Sequence, residues 1–151
     1  MSKIFFASDH GGLELKAKLI PFVESLGYEV IDKGPFVLDP TDDYPDFISL
    51  AAAEVSKDNT ARAVVLGGSG QGEAVVANRF PHVRAALYYG GNPEIVRLSR
   101  DHNDSNVLSL GGRFVSEDEA KATLKLWLET PFSSEERHIR RITKIDSLIS
   151  N

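Results

Sequence analysis

The sequence predicts an α/β fold built on a mainly parallel sheet, and three observations carry that prediction. Five short apolar runs, Ile4–Ser8, Tyr28–Asp32, Arg62–Leu66, Arg84–Tyr89 and Asn106–Leu110, alternate with helical patterns. The run Ala63-Val64-Val65-Leu66 has no polar interruption, as expected of a strand buried on both faces. Polar, glycine-containing turns follow four of the runs: Ser8–Gly12, Gly67–Glu73, Gly90–Asn92 and Gly111–Arg113.

Taken in order, the first run begins at Lys3 with no charged lead or apolar signal core, and no apolar stretch approaches the ~20 residues of a spanning helix. A cytoplasmic, membrane-free protein is expected. Leu15, Leu19, Phe22, Val23 and Leu26 keep a helical period, and Pro21 inside it is expected to bend or restart the helix. The connection Gly34–Tyr44 is rich in Pro and Asp and long for a βα loop; it either lies over a pocket or is a surface excursion. Pro45 opens a helix carrying Phe47, Ile48, Ala51, Ala52 and Val55, and Pro93 opens Glu94–Asp101. Ser116 and Glu119 form a capping box ahead of Ala120, Leu124, Trp127 and Leu128. The final helix, Glu135 to about Ile149, has an apolar stripe of Ile139, Ile142, Ile145 and Ile149 and a separate cationic stripe of Arg137, Arg141 and Lys144. That apolar stripe either packs on its own sheet or crosses to another subunit.

Composition narrows the class. A chain of 151 residues, 42% hydrophobic and 26% charged, fits one globular domain over 1–151. A net charge of −5 argues against nucleic acid as a partner. The absence of cysteine removes disulfides, thiolate metal sites and a cysteine nucleophile.

The candidate chemistry centres on Gly67–Glu73. Gly67, Gly68, Gly70 and Gly72 allow a tight turn that presents successive backbone N–H groups at a helix N-terminus, a ready anion site. Glu73, in the first helical turn, either complements the helix dipole, worth about 0.3–1 kcal/mol, or is a base aimed into the pocket. The spacing lacks the dinucleotide fingerprint, and no Gly-Lys-Ser/Thr follows for a P-loop, so a small phosphate or an oxyanion suits the turn better than a nucleotide. His10, His82, His102 and His138 show no zinc-type spacing, and no metal is expected. His102, in a polar block ending a helix, is either a proton donor or a cap for carbonyls. Arg137 and Arg141, four apart on one face, either grip one phosphate or make surface ion pairs.

Asp9-His10-Gly11-Gly12, Asp43-Tyr44-Pro45, Gly68–Glu73 with Ala77-Asn78-Arg79, His102-Asn103-Asp104, Gly111-Gly112-Arg113, and Arg137-His138 with Arg141 together resemble the type B ribose-5-phosphate isomerases, in order and along the whole chain. The superfamily also includes galactose-6-phosphate and allose-6-phosphate isomerases. The resemblance implies a doubly wound, Rossmann-like parallel sheet of order 2-1-3-4-5 with helices on both faces. It implies a homodimer, or a dimer of dimers, with shared active sites; the separate apolar and cationic faces of the C-terminal helix predict that this helix lies at the dimer interface. The implied reaction is cofactor-free aldose–ketose isomerisation of a sugar phosphate, most directly ribose 5-phosphate and ribulose 5-phosphate, through a cis-enediolate. By position, Glu73 resembles the base; other members use a cysteine at the position of Gly67, which this chain lacks. Ser69 resembles a hydroxyl near the substrate oxygens, and Gly68, Gly70 and Gly72 the donors around them. His102, aided by Asp9, resembles the ring-opening acid/base, and Asn103 a residue holding a sugar hydroxyl. His10 and Arg113 of one subunit, with Arg137 and Arg141 of the other, resemble a phosphate clamp, and Tyr44 a pocket residue.

Phe36 and Leu38 match no ribose-specific pattern; they either narrow the pocket, which would suit a four-carbon erythrulose or erythrose phosphate, or face solvent. A six-carbon sugar phosphate, a non-catalytic sugar-phosphate binding subunit and a flavodoxin-like nucleotide binder are the other readings, the last disfavoured by the missing ribose-holding acid.

Overall fold

The structure is a computed structural model that describes residues 2–149. Its elements in chain order are β1 (Lys3–Ser8), a 3-10 turn (His10–Gly12), α1 (Leu13–Ser25), β2 (Glu29–Asp32), α2 (Pro45–Lys57), β3 (Arg62–Gly67), α3 (Gln71–Ala77), β4 (Ala85–Tyr88), α4 (Glu94–Asp101), β5 (Val107–Gly111), α5 (Glu117–Glu129) and α6 (Glu136–Asp146). All strand pairs are parallel, in the order β2-β1-β3-β5-β4. The α/β class and the parallel sheet are as expected from the sequence.

The strand order is corrected in one respect: β5 inserts between β3 and β4, where 2-1-3-4-5 placed it at the edge. Crossover handedness gives the consequence. Parallel crossovers are right-handed, so the direction in which the chain steps along the sheet decides which face its helix covers. The step from β4 back to β5 runs opposite to the steps that carry α2 and α3, and α4 therefore joins α1 and α5. Val96 of α4 packs with Leu19 and Val23 of α1 and Leu124 and Trp127 of α5 on Ile4, Phe6, Val64, Leu66, Leu108 and Leu110. The opposite face of the same strands, Phe5, Ala7, Ala63, Val65 and Val107, is covered by Ile48, Ala51, Ala52 and Val55 of α2 and Ala77 of α3. Every second residue goes to the other layer, as the strand pleat requires.

Helix α1 runs unbroken through Pro21. Pro21 and Ala17, whose carbonyl loses its donor, both lie on the exposed side, where water can replace the missing bond. Helix α6 ends at Asp146, short of the expected Ile149. It rests across the N-terminal end of the sheet: Asp146 lies 3.7 Å from His82 Nδ1 and from Arg84 Nη1. Between this helix and the sheet is a cavity of about 710 Å³ lined by Lys57, His82, Arg84, Asn106, Ile142 and Asp146, among others. Ile139 and Ile145 remain 46% and 45% exposed, so this apolar stripe is not buried on the chain's own sheet.

For the site, the central feature is that β1, β3 and β5 are neighbours. Their C-terminal turns meet over the middle of the sheet, where ligands of open parallel sheets bind. Asp9 N–H donates to Leu66 O at 3.3 Å, Gly112 N–H to Gly67 O at 2.7 Å and Arg113 N–H to Gly68 O at 3.0 Å.

Candidate active site

Glu73 is the buried charge at this meeting point, only 3% exposed on the first turn of α3. Its carboxylate lies over Gly67, where a Cβ would collide with both carboxylate oxygens. Gly67 has no room for a side chain because Glu73 occupies the space one would take. Burial pushes the Glu73 carboxyl above its ordinary value, and the negative charge of Asp9 adds to that, while a bond from its own backbone N–H opposes it. A carboxylate so placed is a stronger base than one in water.

The turn before it is fixed by packing and hydrogen bonds. Gly70 has φ 77° and sits so tightly against Leu87, Leu110 and Ser109 that no Cβ fits. Ser109 Oγ, fully buried on β5, donates to Gly70 O at 2.6 Å and fixes the turn from beneath. The first N–H groups of a helix have no intrahelical acceptor; that of Gln71 is taken by Ser69 Oγ at 3.3 Å. Asp9 caps the 3-10 turn, its Oδ1 accepting from Gly12 N–H at 3.1 Å. The Tyr44 phenol leans on Gly72, 2.7 Å from where a Cβ there would stand. The Arg113 guanidinium lies over Gly68, with Nη1 3.1 Å from the corresponding position, and forms no ion pair among the described residues. His10 Nδ1 is 2.6 Å from Asp42 Oδ1. The loop Gly34–Tyr44 thus reaches the pocket, through Asp42 and Tyr44. Its Phe36 and Leu38 face solvent, 75% and 66% exposed, and do not narrow the pocket within the chain.

A second group of the expected residues lies at the other end of the sheet. His102 follows the last turn of α4, its N–H bonded to Leu98 O at 2.9 Å, and its ring stacks on that of His138 with centroids 4.4 Å apart and planes at 19°. His138 is the one buried residue of α6. Its Nε2 lies 3.0 Å from Glu135 Oε2, although not aligned as a hydrogen bond. Asn103 is exposed beside His102, and Arg137 and Arg141 are exposed on α6, Arg137 weakly paired with Glu135 at 3.4 Å. Strands of five or six residues at about 3.3 Å each separate the two groups. Within one chain, therefore, His102 is not near Asp9, and His102, Asn103, Arg137 and Arg141 do not reach Glu73. The reason is topological, since α4 returns its C-terminus to the end of the sheet where β5 starts.

Sequence reasoning passed over Asp42, Ser109 and His138 as site residues. Asp42 stood beside the singled-out Asp43, with nothing local to separate them. Ser109 reads as an ordinary strand residue. His138 lay between the two clamp arginines, and that interval was its only signal.

The family model described as ribose/galactose isomerase matches residues 4–145. The chain is 40% identical over 140 residues to ribose-5-phosphate isomerase B of Mycolicibacterium paratuberculosis, covering 93% of this chain and 87% of that protein. To ribose-5-phosphate isomerase B of Escherichia coli it is 35% identical over 148 residues, covering 98% and 97%. Among solved structures, ribose-5-phosphate isomerase B from Mycoplasma genitalium with bound ribulose-5-phosphate is similar with a TM-score of 0.92 and 36% identity, covering 97% of this chain and 95% of that one. The Trypanosoma brucei type B enzyme gives a TM-score of 0.92 at 30% identity, covering 99% of each chain.

Proposed function

The chain belongs to the ribose/galactose isomerase family, and from that premise we propose that it interconverts ribose 5-phosphate and ribulose 5-phosphate through a cis-enediolate, without a cofactor. The observation that carries this reading is Glu73: a buried carboxylate of raised pKa beside a turn of backbone donors at a helix N-terminus. Glu73 takes the proton from C2 of the open-chain aldose and returns it to C1, while the hydroxyl proton passes from O2 to O1, so that the C1 aldehyde becomes a hydroxyl and C2 the ketone. The negative charge that develops on the substrate oxygens is met by the backbone N–H groups of Gly70 and Gly72 and by the Ser69 hydroxyl, each such donor contributing about 2.7–4 kcal/mol in comparable oxyanion sites. Arg113 and His10 hold the phosphate, whose binding energy fixes the reacting carbons against the base.

The complete site is composite in this proposal. Glu73, Asp9, Ser69, Tyr44, His10 and Arg113 form one half; His102, Asn103, Arg137 and Arg141 form the other, supplied by a second copy. An isologous pair that sets the upper end of one chain against the lower end of the other makes two complete sites by symmetry. The half-exposed Ile139 and Ile145 supply apolar contact area for it. His102 then opens the sugar ring over Asp9 of the opposite chain.

The test is exchange in deuterated water. Wild type is expected to introduce label at C2 of ribose 5-phosphate and Glu73→Gln to lose it while still binding phosphate; label exchange retained by the variant contradicts the assignment. A panel of four-, five- and six-carbon sugar phosphates decides chain length, with highest kcat/KM expected for the five-carbon pair.

A further inference from the structure

His10 and Asp42 form a contact that the isomerase reading uses only in part. Asp42 stands at the end of the loop joining β2 to α2, and its side chain is 6% exposed. One oxygen, Oδ1, serves two donors on His10: the backbone N–H at 3.2 Å and ring Nδ1 at 2.6 Å. An oxygen already accepting a backbone N–H is the acceptor here, so Nδ1 carries the proton. Nε2, on the far side of the ring, has no partner among the described residues. The other carboxylate oxygen, Oδ2, is buried without a hydrogen-bond partner, so Asp42 is held here at a cost that packing alone does not explain.

The loop is built to deliver this carboxylate. At its start, buried Lys16 bonds Asp32 Oδ1 at 2.7 Å and Pro35 O at 2.8 Å, and Asp32 Oδ1 also accepts Gly34 N–H at 2.8 Å. At its end, Tyr44 leads into α2. The middle, Phe36–Leu38, makes no comparable anchor. Both ends are therefore fixed, one by a lysine clasp and the other by Asp42 on His10.

We propose that Asp42 is a positioning residue that orients His10 and favours its imidazolium form, so that Nε2–H points at the phosphate of the substrate as a donor. This rests on the isomerase reading for the identity of the ligand. The charged groups that face His10 are Asp42 and Asp39 from the loop, Asp9 from its own turn and Arg113 from the turn after β5. The bond to Asp42 is the largest influence and raises the His10 pKa above its ordinary 6.5, with Asp9 adding to it, against desolvation and Arg113. The sign follows. From 6.5 up to the raised value the native ring stays cationic, whereas a ring without Asp42 turns neutral and loses its charge-assisted bond to phosphate.

The experiment compares wild type with Asp42→Asn, which keeps the oxygen acceptor and removes the charge, between about pH 6 and about pH 8. The readouts are KM and kcat for ribose 5-phosphate, the affinity for inorganic phosphate, and the ring titration of His10 by ¹⁵N NMR. At about pH 6 the two proteins are expected to agree within about twofold; as pH rises above 6.5, KM and the phosphate Kd of the variant rise severalfold over those of wild type, with kcat nearly unchanged. The His10 titration moves toward 6.5. In a His10→Asn background the Asp42→Asn effect on KM disappears, which a merely structural role would not produce. Parallel pH profiles, an unmoved His10 titration, or an undiminished effect in the His10→Asn background would each overturn the proposal. Wild type that turns over no sugar phosphate would sink the isomerase reading, and the inorganic phosphate and NMR readouts then decide on Asp42 independently.

Discussion

Glu73 and Gly67 act as one unit, and substitutions at either should show it. Glu73→Gln is expected to lower kcat by about 10²–10⁴-fold, the usual contribution of a positioned base. Because burial raises the Glu73 pKa in the folded chain, the folded state binds this proton more tightly than the unfolded one. Stability from this group is therefore highest below the ordinary 4.5 and falls as pH rises through the raised value. Glu73→Gln should accordingly melt roughly 2–4 °C higher than wild type at neutral pH, with the gain vanishing in acid, as calorimetry across pH can establish. Gly67→Ala drives a methyl into the carboxylate. A loss of about 1–3 kcal/mol in stability, read from urea unfolding, and a fall in kcat are expected together. From the sequence Glu73 was one of two things, a dipole partner or a base; its burial is what supports the proposed base. Asp42 and Asp43 were indistinguishable in sequence, because only the fold brings one of them to His10.

At the level of elements, the helices were legible from their periodicity and caps. Ser116 Oγ does accept from Glu119 N–H, at 3.1 Å, and Pro45 does open α2. What periodicity does not contain is where an amphipathic face goes. Helix α6 shows this most clearly: its isoleucines stay half exposed, and it is pinned by buried His138 stacked on His102 and by Asp146 near His82 and Arg84. His138→Ala should free α6 and the His102 ring together, raising KM by roughly tenfold, while His138→Phe, which keeps an aromatic surface, should recover most of that loss in steady-state kinetics. The open edge of β4 is also managed locally: Asn78 accepts Ala85 N–H at 2.8 Å and donates to Ala85 O at 3.2 Å, occupying backbone groups that another strand could otherwise pair with.

For the whole molecule, the proposed two-chain site makes a prediction that no single chain could satisfy. Glu73→Gln and His102→Asn homomers are each expected to be nearly inactive. Unfolded together and refolded, half of the dimers are mixed, and each mixed dimer holds one intact site, so about one quarter of wild-type activity should return. No recovery would mean that both residues serve the same chain's site. The sequence by itself determined the α/β class, the parallel strands and the glycine turn before α3, because alternation and glycine spacing are local properties written along the chain, and its ordered motifs carried the resemblance to the family. Only the tertiary structure decided that β5 lies beside β3, that Asp42 reaches His10, and that His102 stands at the far end of the sheet from Glu73. Those outcomes follow from crossover handedness and from which ends of strands and helices coincide, and such long-range relations leave no mark in residue spacing.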